Sequence, residues 1–525
     1  MGRASRVRRD LPCLHEGCAG REEALAGRLV VKTPAECTHP VFGGLLLRPV
    51  PQKVSAVPEV LARKGRILLA ILGVALLLLL GHLWRMQVVQ GRGYVERAED
   101  NRLRSIRLAA PRGGMYAADE YPIAVDSPSF EVLVHPGEIP SADRETICTE
   151  LAGLLGMEPA DVIRKVVEGR RWASISLRRG LNLAEAAAVA ARESELAGVS
   201  VEVHRKRIYP DGDLFGQITG YCGEVTSEEL SRPENDYHLR DIIGRAGLEA
   251  RYESVLRGMD GRRIVVGDAR GRVVAEGPVD EPAPGAGLKL SLDPALQRAA
   301  ADALGEHVGS VVVLEVPTGR VLALVSWPRY DPNTFSENYS TISADPNKPL
   351  VFRAISGAYP PGSAMKPFIA LAALESGGAT GATTYDCPGY VNLGARRIGC
   401  WEQWGHGAIP MREAISLSCN VYMIRLGQSL GFDPIYNFAT HAGFGRATGI
   451  ELPGESAGLF PTPYWKRQRY ADKPNESGWY PGDTANLCIG QGYLMATPLQ
   501  VTCAYAALAS GGGVVRPHLV DEIVA

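Results

Sequence analysis

Apolar and polar positions divide this chain into three kinds of stretch. Positions 67–80 are all apolar apart from Gly73, and the run continues through Leu83 and Trp84 with His82 near its end. A spanning helix needs roughly 20 apolar residues, so the run predicts a membrane anchor over 65–86. Arg63, Lys64 and Arg66 precede it, and Arg85 and Arg92 follow. That modest bias predicts a cytoplasmic N-terminus with everything later outside. A signal peptide has a core of about 7–15 apolar residues and a small-residue cleavage site. Trp84, Arg85, Met86 and Gln87 offer no such site.

Beyond the anchor, alternation at 130–135 and 199–203 predicts strands. The alanine- and glutamate-rich stretch 182–196 predicts a helix. Tyr209-Pro-Asp-Gly212 is a turn, and 244–260 predicts a helix with a glycine stop. No paired His, Cys or carboxylate cluster stands out in this region. The Pro- and Gly-rich stretch 281–287 marks a boundary. After it come a predicted strand (288–292), a helix (294–304) and a hairpin (311–316 with 321–325). Pro360, Pro361 and Gly362 end a loop, and the apolar run 368–374 predicts a helix starting there. The expected fold is α+β. Its parts are a tail (1–64), an anchor (65–86), a support domain of dimerisation type (87–283) and a catalytic domain (284–525).

Composition changes this picture little. A length of 525 residues suggests two to four domains, and 46% hydrophobic with 22% charged residues is ordinary for folded protein. A net charge of −2 carries no nucleic-acid footprint, and no nucleotide-binding loop occurs. Ten cysteines are too few and scattered for a disulfide scaffold. Cys13, Cys18 and Cys37, with His15 and His39 nearby, match no standard metal spacing. A cytoplasmic tail, or a start codon placed too far upstream, accounts for them better.

Candidate chemistry begins at Ser363 and Lys366, three apart and so on one face of a helix start. Helix N–H groups there favour developing negative charge, and a lysine desolvated by burial can act as a base. Ser-x-x-Lys alone is weak, because most copies are surface polar pairs. Ser418-Cys419-Asn420 supplies the second box that accompanies it in penicillin-recognising enzymes.

With both boxes in order, the chain resembles the class B penicillin-binding proteins of the elongation type, the penicillin-binding protein 2 group. The resemblance covers roughly residues 65–525. Its carriers are Tyr359-Pro-Pro-Gly-Ser-Ala-Met-Lys366, Ser418-Cys-Asn420, Trp404-Gly-His-Gly407, Tyr480-Pro-Gly-Asp483 and Gly490-Gln-Gly-Tyr-Leu494. Arg207-Ile-Tyr-Pro210, Gly247-Leu-Glu249 and Pro111-Arg-Gly113 fit the family's pedestal, although Ala117-Ala118 stand where an Asp-Arg pair is usual. The resemblance implies a pedestal domain followed by a transpeptidase domain of helices around an antiparallel sheet. The implied activity is a D,D-transpeptidase that cross-links peptidoglycan stem peptides and is trapped by β-lactams. By resemblance Ser363 is the nucleophile, Lys366 its base, Ser418 a proton relay, and Asn420 a holder of the substrate amide. Implied partners are a glycan-polymerising glycosyltransferase and other elongation-complex proteins, at the inner membrane with the catalytic domain on its outer side.

The family's third box, Lys-Thr-Gly, does not occur between Asn420 and Ala525. A sequence truncated at its C-terminus is the simplest expectation. A native C-terminus there would favour a non-catalytic β-lactam or peptidoglycan sensor or scaffold. A serine β-lactamase ranks last, since it needs neither anchor nor pedestal.

Cys387, Cys400, His406 and Cys419 are spaced C-x12-C-x5-H-x12-C. From the residues alone, three readings stay open: a structural zinc set of three thiolates and an imidazole, a Cys387–Cys400 disulfide, or buried free cysteines. The resemblance implies zinc on these four residues, with Cys419 tying the metal to the loop of Ser418 and Asn420. Asp386 is a reserve ligand.

Overall fold

A computed structural model of the protein describes residues 59–93, 103–170, 174–232, 236–239, 241–267, 273–394 and 396–524. The predicted tail, with Cys13, Cys18 and Cys37, lies almost wholly outside the described residues. The chain divides into two compact units, Met1–Gly91 and Arg92–Ala525. In the first, the predicted apolar run is a helix, Glu59–Trp84, continued by a π-helical turn, Arg85–Val89. Arg63–Val89 is long and apolar enough to cross a membrane.

The second unit is α+β. Its longest strand, Pro122–Val134, pairs antiparallel with Val199–Ile208 in unbroken register from Val125↔Ile208 to Val134↔Val199. Its C-terminal half also pairs with Ile175–Leu181. Val132, Val134, Leu177 and Val199 bury one face under the helices Arg144–Leu155, Pro159–Glu168 and Leu183–Ala190. The predicted 182–196 helix is therefore shorter than expected. A capping box of Asn182 and Glu185 starts it, and the polar run Arg192-Glu-Ser-Glu195 turns away so that Leu196 is buried.

The sheet crosses the expected boundary at 283/284. Met115–Tyr116 pairs antiparallel with Pro122–Val134 and parallel with Gly287–Leu290, which pairs in turn with Val520–Val524. Met115, Leu214, Leu248, Leu288, Val321 and Leu519 share one core. The helix Pro294–Leu304, N-capped by Asp293, lies on the hairpin of Gly309–Leu314 and Val321–Trp327, as the pattern predicts.

The predicted 244–260 helix is broken at Tyr252 into Gly247–Arg251 and Glu253–Leu256. The expectation that no carboxylate cluster stands out before residue 283 is corrected here. Arg112 bonds Glu249 and Glu253, each at 2.6 Å, and Arg207 bonds Glu249 at 2.7 Å and Asp126 at 3.2 Å. Tyr209 adds its hydroxyl to Glu249 at 3.3 Å. The Glu249 side chain is 0% exposed. Burial raises its pKa, but the two guanidiniums outweigh that and hold the carboxyl below its ordinary range. Three motifs separated by up to 137 residues thus meet in one charged knot.

Candidate active site

The second core, built on Phe368, Tyr422, Phe444 and Ile424, fixes the reacting groups. Phe368 and Phe444 meet edge to face at 5.0 Å. Burying such a side chain stabilises by about 1.5–3 kcal/mol. Ser363 does not sit in the α-helix, as expected, but on a 3-10 turn, Gly362–Met365, leading into the helix Lys366–Glu375. Pro367 falls in the first helical turn, where a missing N–H costs little. Gly362 has φ +59° and donates its N–H to Gly490 O at 2.9 Å. A Cβ at Gly490 would collide with the Gly362 backbone, so only glycine lets these two turns touch.

The two boxes converge. Lys366, 2% exposed, directs its ammonium to three acceptors: Ser418 O at 2.6 Å, Ser418 Oγ at 2.9 Å and Asn420 Oδ1 at 2.7 Å. Those three contacts match its three N–H donors. Ser418 Oγ bonds Ser363 Oγ at 2.9 Å, so the lysine reaches the nucleophile through the second serine. Desolvation pushes the Lys366 pKa down, partly offset by the thiols of Cys400 and Cys419. Ser418 has φ +50°, a left-handed conformation that costs a non-glycine residue about 1–3 kcal/mol. The bond from Lys366 to its carbonyl helps hold it there. Asn420 begins the helix Asn420–Leu430, and its Nδ2 donates to Gly399 O at 3.3 Å.

Cys419 caps that helix, its Sγ accepting from Tyr422 N–H at 3.4 Å. Around it the four predicted ligands assemble, with their ligand atoms all within 4.8 Å of one another. His406 Nδ1 lies 3.6 Å from Cys387 Sγ and 3.7 Å from Cys400 Sγ, and Cys400 Sγ lies 4.0 Å from Cys419 Sγ. Bonds of about 2.3 Å to a tetrahedral zinc place ligands about 3.7 Å apart, so the donor set fits that ion. His406 Nε2 is buried without a hydrogen-bond partner. Burial raises the Cys400 pKa, but N–H groups of Asn420, Val421 and Glu402 outweigh it and hold the thiol below its ordinary value. Burial pushes Cys419 up to about 12. Of the alternatives left open, the Cys387–Cys400 disulfide is not formed, and the reserve ligand Asp386 is exposed and outside the cluster, since strand alternation turns it away from Cys387.

A serine hydrogen-bonded through a second serine to a buried lysine, on a helical domain joined to a long-stranded support, defines a serine acyltransferase of the penicillin-recognising class. The family model for the penicillin-binding protein transpeptidase domain matches residues 309–525, and that for the penicillin-binding protein dimerisation domain matches residues 107–290. The peptidoglycan D,D-transpeptidase MrdA of Escherichia coli K12 is 33% identical over 472 residues, covering 87% of this chain and 74% of that protein. A solved complex of penicillin-binding protein 2 with MreC from Helicobacter pylori superposes with a TM-score of 0.68 at 26% identity, over 80% of this chain and 79% of that one. A chain of a solved peptidoglycan synthase complex superposes with a TM-score of 0.67 at 31% identity, over 88% of this chain and 80% of that one. The chain belongs to the elongation-type class B penicillin-binding proteins.

Sequence reasoning named every member of the serine–lysine and thiol clusters but joined Ser363 directly to Lys366. It also missed the pair of Lys466 and Asp483, 2.6 Å apart and largely buried beside the Tyr480 and Tyr493 rings. The signal was Asp483 at the end of a motif already singled out.

Proposed function

We propose that this chain is a peptidoglycan D,D-transpeptidase that cross-links stem peptides during cell elongation. The observation that carries the reading is the unbroken hydrogen-bonded path from Lys366 Nζ through Ser418 Oγ to Ser363 Oγ. With Lys366 neutral, the Ser363 proton passes to Ser418 Oγ as the Ser418 proton passes to Nζ. Ser363 Oγ attacks the carbonyl between two terminal D-alanines, and the amide C–N bond breaks. The proton passes from Nζ back to Ser418 Oγ as Ser418 gives its own to the leaving amine, which leaves an ester at Ser363. An amine of a neighbouring stem then attacks the ester carbonyl and gives up a proton to Ser418 and Lys366. Ser363 Oγ takes a proton from Ser418 as the C–O bond breaks and the cross-link forms. Asn420, steered by its contacts to Lys366 and Gly399, holds the substrate amide. A β-lactam enters the same sequence and stays as the ester. A sensor or scaffold would need none of these proton contacts, so the enzyme reading is favoured.

The domain reading is a tail (1–64), an anchor (65–86), a pedestal (87–283) and a transpeptidase domain (284–525). The anchor crosses the inner membrane once, N-terminus in the cytoplasm, which places the site where stem peptides are. Partners are elongation-complex proteins, including an MreC-like protein and a glycan-polymerising glycosyltransferase. The solved complexes of its relatives support this. The experiment is fluorescent-penicillin labelling of the membrane-inserted chain, with the adduct mapped by mass spectrometry. One label on Ser363 is expected, and an unlabelled chain would sink the reading.

Zinc on Cys387, Cys400, His406 and Cys419 is part of the proposal, supported by the ligand spacing and by His406 Nδ1 facing two of the thiols. When bound, the ion supplies structural cross-linking, with no open position for water. The chain's own consequence is that Cys419 is held between Ser418 and Asn420. One zinc per chain is expected by elemental analysis of reduced protein, and Cys400→Ser should lower that occupancy severalfold. Metal-free wild-type protein purified without chelator would remove this part.

A further inference from the structure

The ion pair of Lys466 and Asp483 lies outside the proton path, yet a short run of chain connects it to the nucleophile. Lys466 is 4% exposed, on the helix Pro463–Arg469, which Thr462 caps by accepting the Trp465 N–H at 3.0 Å. Its ammonium bonds Asp483 Oδ2 at 2.6 Å, and the same oxygen accepts the Tyr480 N–H at 2.7 Å. Asp483 stands in the first turn of the helix Pro481–Cys488, eight residues and so about 12 Å long. At the far end, Gly490 N–H bonds Leu487 O at 3.0 Å and Gln491 N–H bonds Asn486 O at 2.8 Å. Those bonds lock the exit loop to the helix. The loop delivers Gly490 O to the Gly362 N–H, 2.9 Å away and one residue before Ser363. Further on, Ala496 and Tyr359 exchange two backbone bonds, at 2.8 and 2.9 Å. The stretch leading to Ser363 is thus gripped at Tyr359 and at Gly362 by the chain that leaves this helix.

A buried ion pair is often no better than apolar packing at stabilising a helix contact. What it adds here is a single permitted alignment. If the helix slid, two desolvated charges would lose each other, whereas apolar side chains against the same rings would tolerate the slide. The nucleophile needs that alignment. Ser418 is held from its own side by Lys366, so the 2.9 Å between the two serine hydroxyls depends on where the Ser363 turn sits. A misplacement of about 1 Å in such a contact can cost about a hundredfold in rate.

We infer that Lys466 and Asp483 are positioning residues for acyl transfer. Their bond fixes the helix Pro481–Cys488 along its axis. Through Gly490 O it fixes the turn that presents Ser363 Oγ to Ser418. Neither forms a hydrogen bond to Ser363, Ser418 or Lys366. The inference rests on the transpeptidase reading above, and the test separates the two.

Stopped-flow acylation of the full-length chain in detergent micelles is followed over a range of chromogenic cephalosporin concentrations. Lys466→Met combined with Asp483→Asn removes both charges and leaves neither unpaired. This double variant should melt close to the wild type and take one label per chain. Its acylation rate constant at saturating cephalosporin should fall about ten- to a hundredfold. Its half-saturating concentration should change less than about twofold, because the group displaced is the nucleophile and not the binding surface. Asp483→Asn alone keeps an oxygen for both donors, so it should fold and lose a smaller part of the rate. If the double variant does not fold, the same split read on Asp483→Asn decides. A wild-type rate at saturation overturns the inference. So does a loss confined to melting temperature or to the fraction of chains labelled, which a structural role alone would produce. A wild-type chain that is never acylated sinks the transpeptidase reading. An acylated wild type matched by the variants sinks the positioning role alone.

Discussion

Replacing Lys366 by methionine is expected to lower the rate of Ser363 acylation by about 10²- to 10⁴-fold, the range that a positioned general base contributes. Methionine keeps an unbranched chain of similar length in the pocket but removes the only group at the inner end of the proton path. The three acceptors that Lys366 satisfies lose their donor together. Ser418, held at φ +50° partly by that lysine, is then free to leave the geometry that points its hydroxyl at Ser363. Stopped-flow acylation by a chromogenic cephalosporin measures the rate. The wild-type profile carries a second check. Desolvation lowers the Lys366 pKa, and the base form is the neutral amine. The rate should rise with pH through a midpoint below that of an exposed lysine, then level off. The methionine variant should lose that step. A Lys366→Met chain acylated at the wild-type rate would remove Lys366 from the mechanism.

Glu249→Ala should be the most damaging change outside the site. Removing one partner of a buried ionic cluster costs about 3–5 kcal/mol, because the remaining charges lose their compensation. Here Arg112 and Arg207 both depend on the same carboxylate, and both guanidiniums are largely buried. Thermal unfolding of the full chain in detergent, followed by tryptophan fluorescence, should show the loss. Glu249 also sets an acid limit. Its native pKa lies below its unfolded value, so its stabilisation is complete above the ordinary glutamate range near 4.3. That contribution is lost as pH falls through the depressed native value. The Ala variant should be less stable at neutral pH and less acid-sensitive than the wild type. An unchanged melting temperature would mean that the knot is solvated in solution.

The helix Pro294–Leu304, the hairpin after it and the apolar segment Arg63–Val89 were legible because each is decided locally. Period, caps, proline and glycine settle such elements before any tertiary contact forms. The residue types of the site were legible too, since Ser363, Lys366, Ser418, Asn420 and the four thiol and imidazole groups carry chemistry at short spacing. Other features were decided only by packing. Tyr252 breaks a helix that sequence continues, so that Glu249 and Glu253 both meet Arg112. Gly490 brings its loop against the turn of Ser363. The left-handed Ser418 carries the lysine's reach to the nucleophile, although nothing in a serine's own preference favours that conformation. The sheet joins Met115–Tyr116 to Gly287–Leu290 across more than 170 residues of chain. Local sequence sets what each segment can form. Which distant charges, hydroxyls and thiols share a site depends on long-range burial, and no single stretch encodes that.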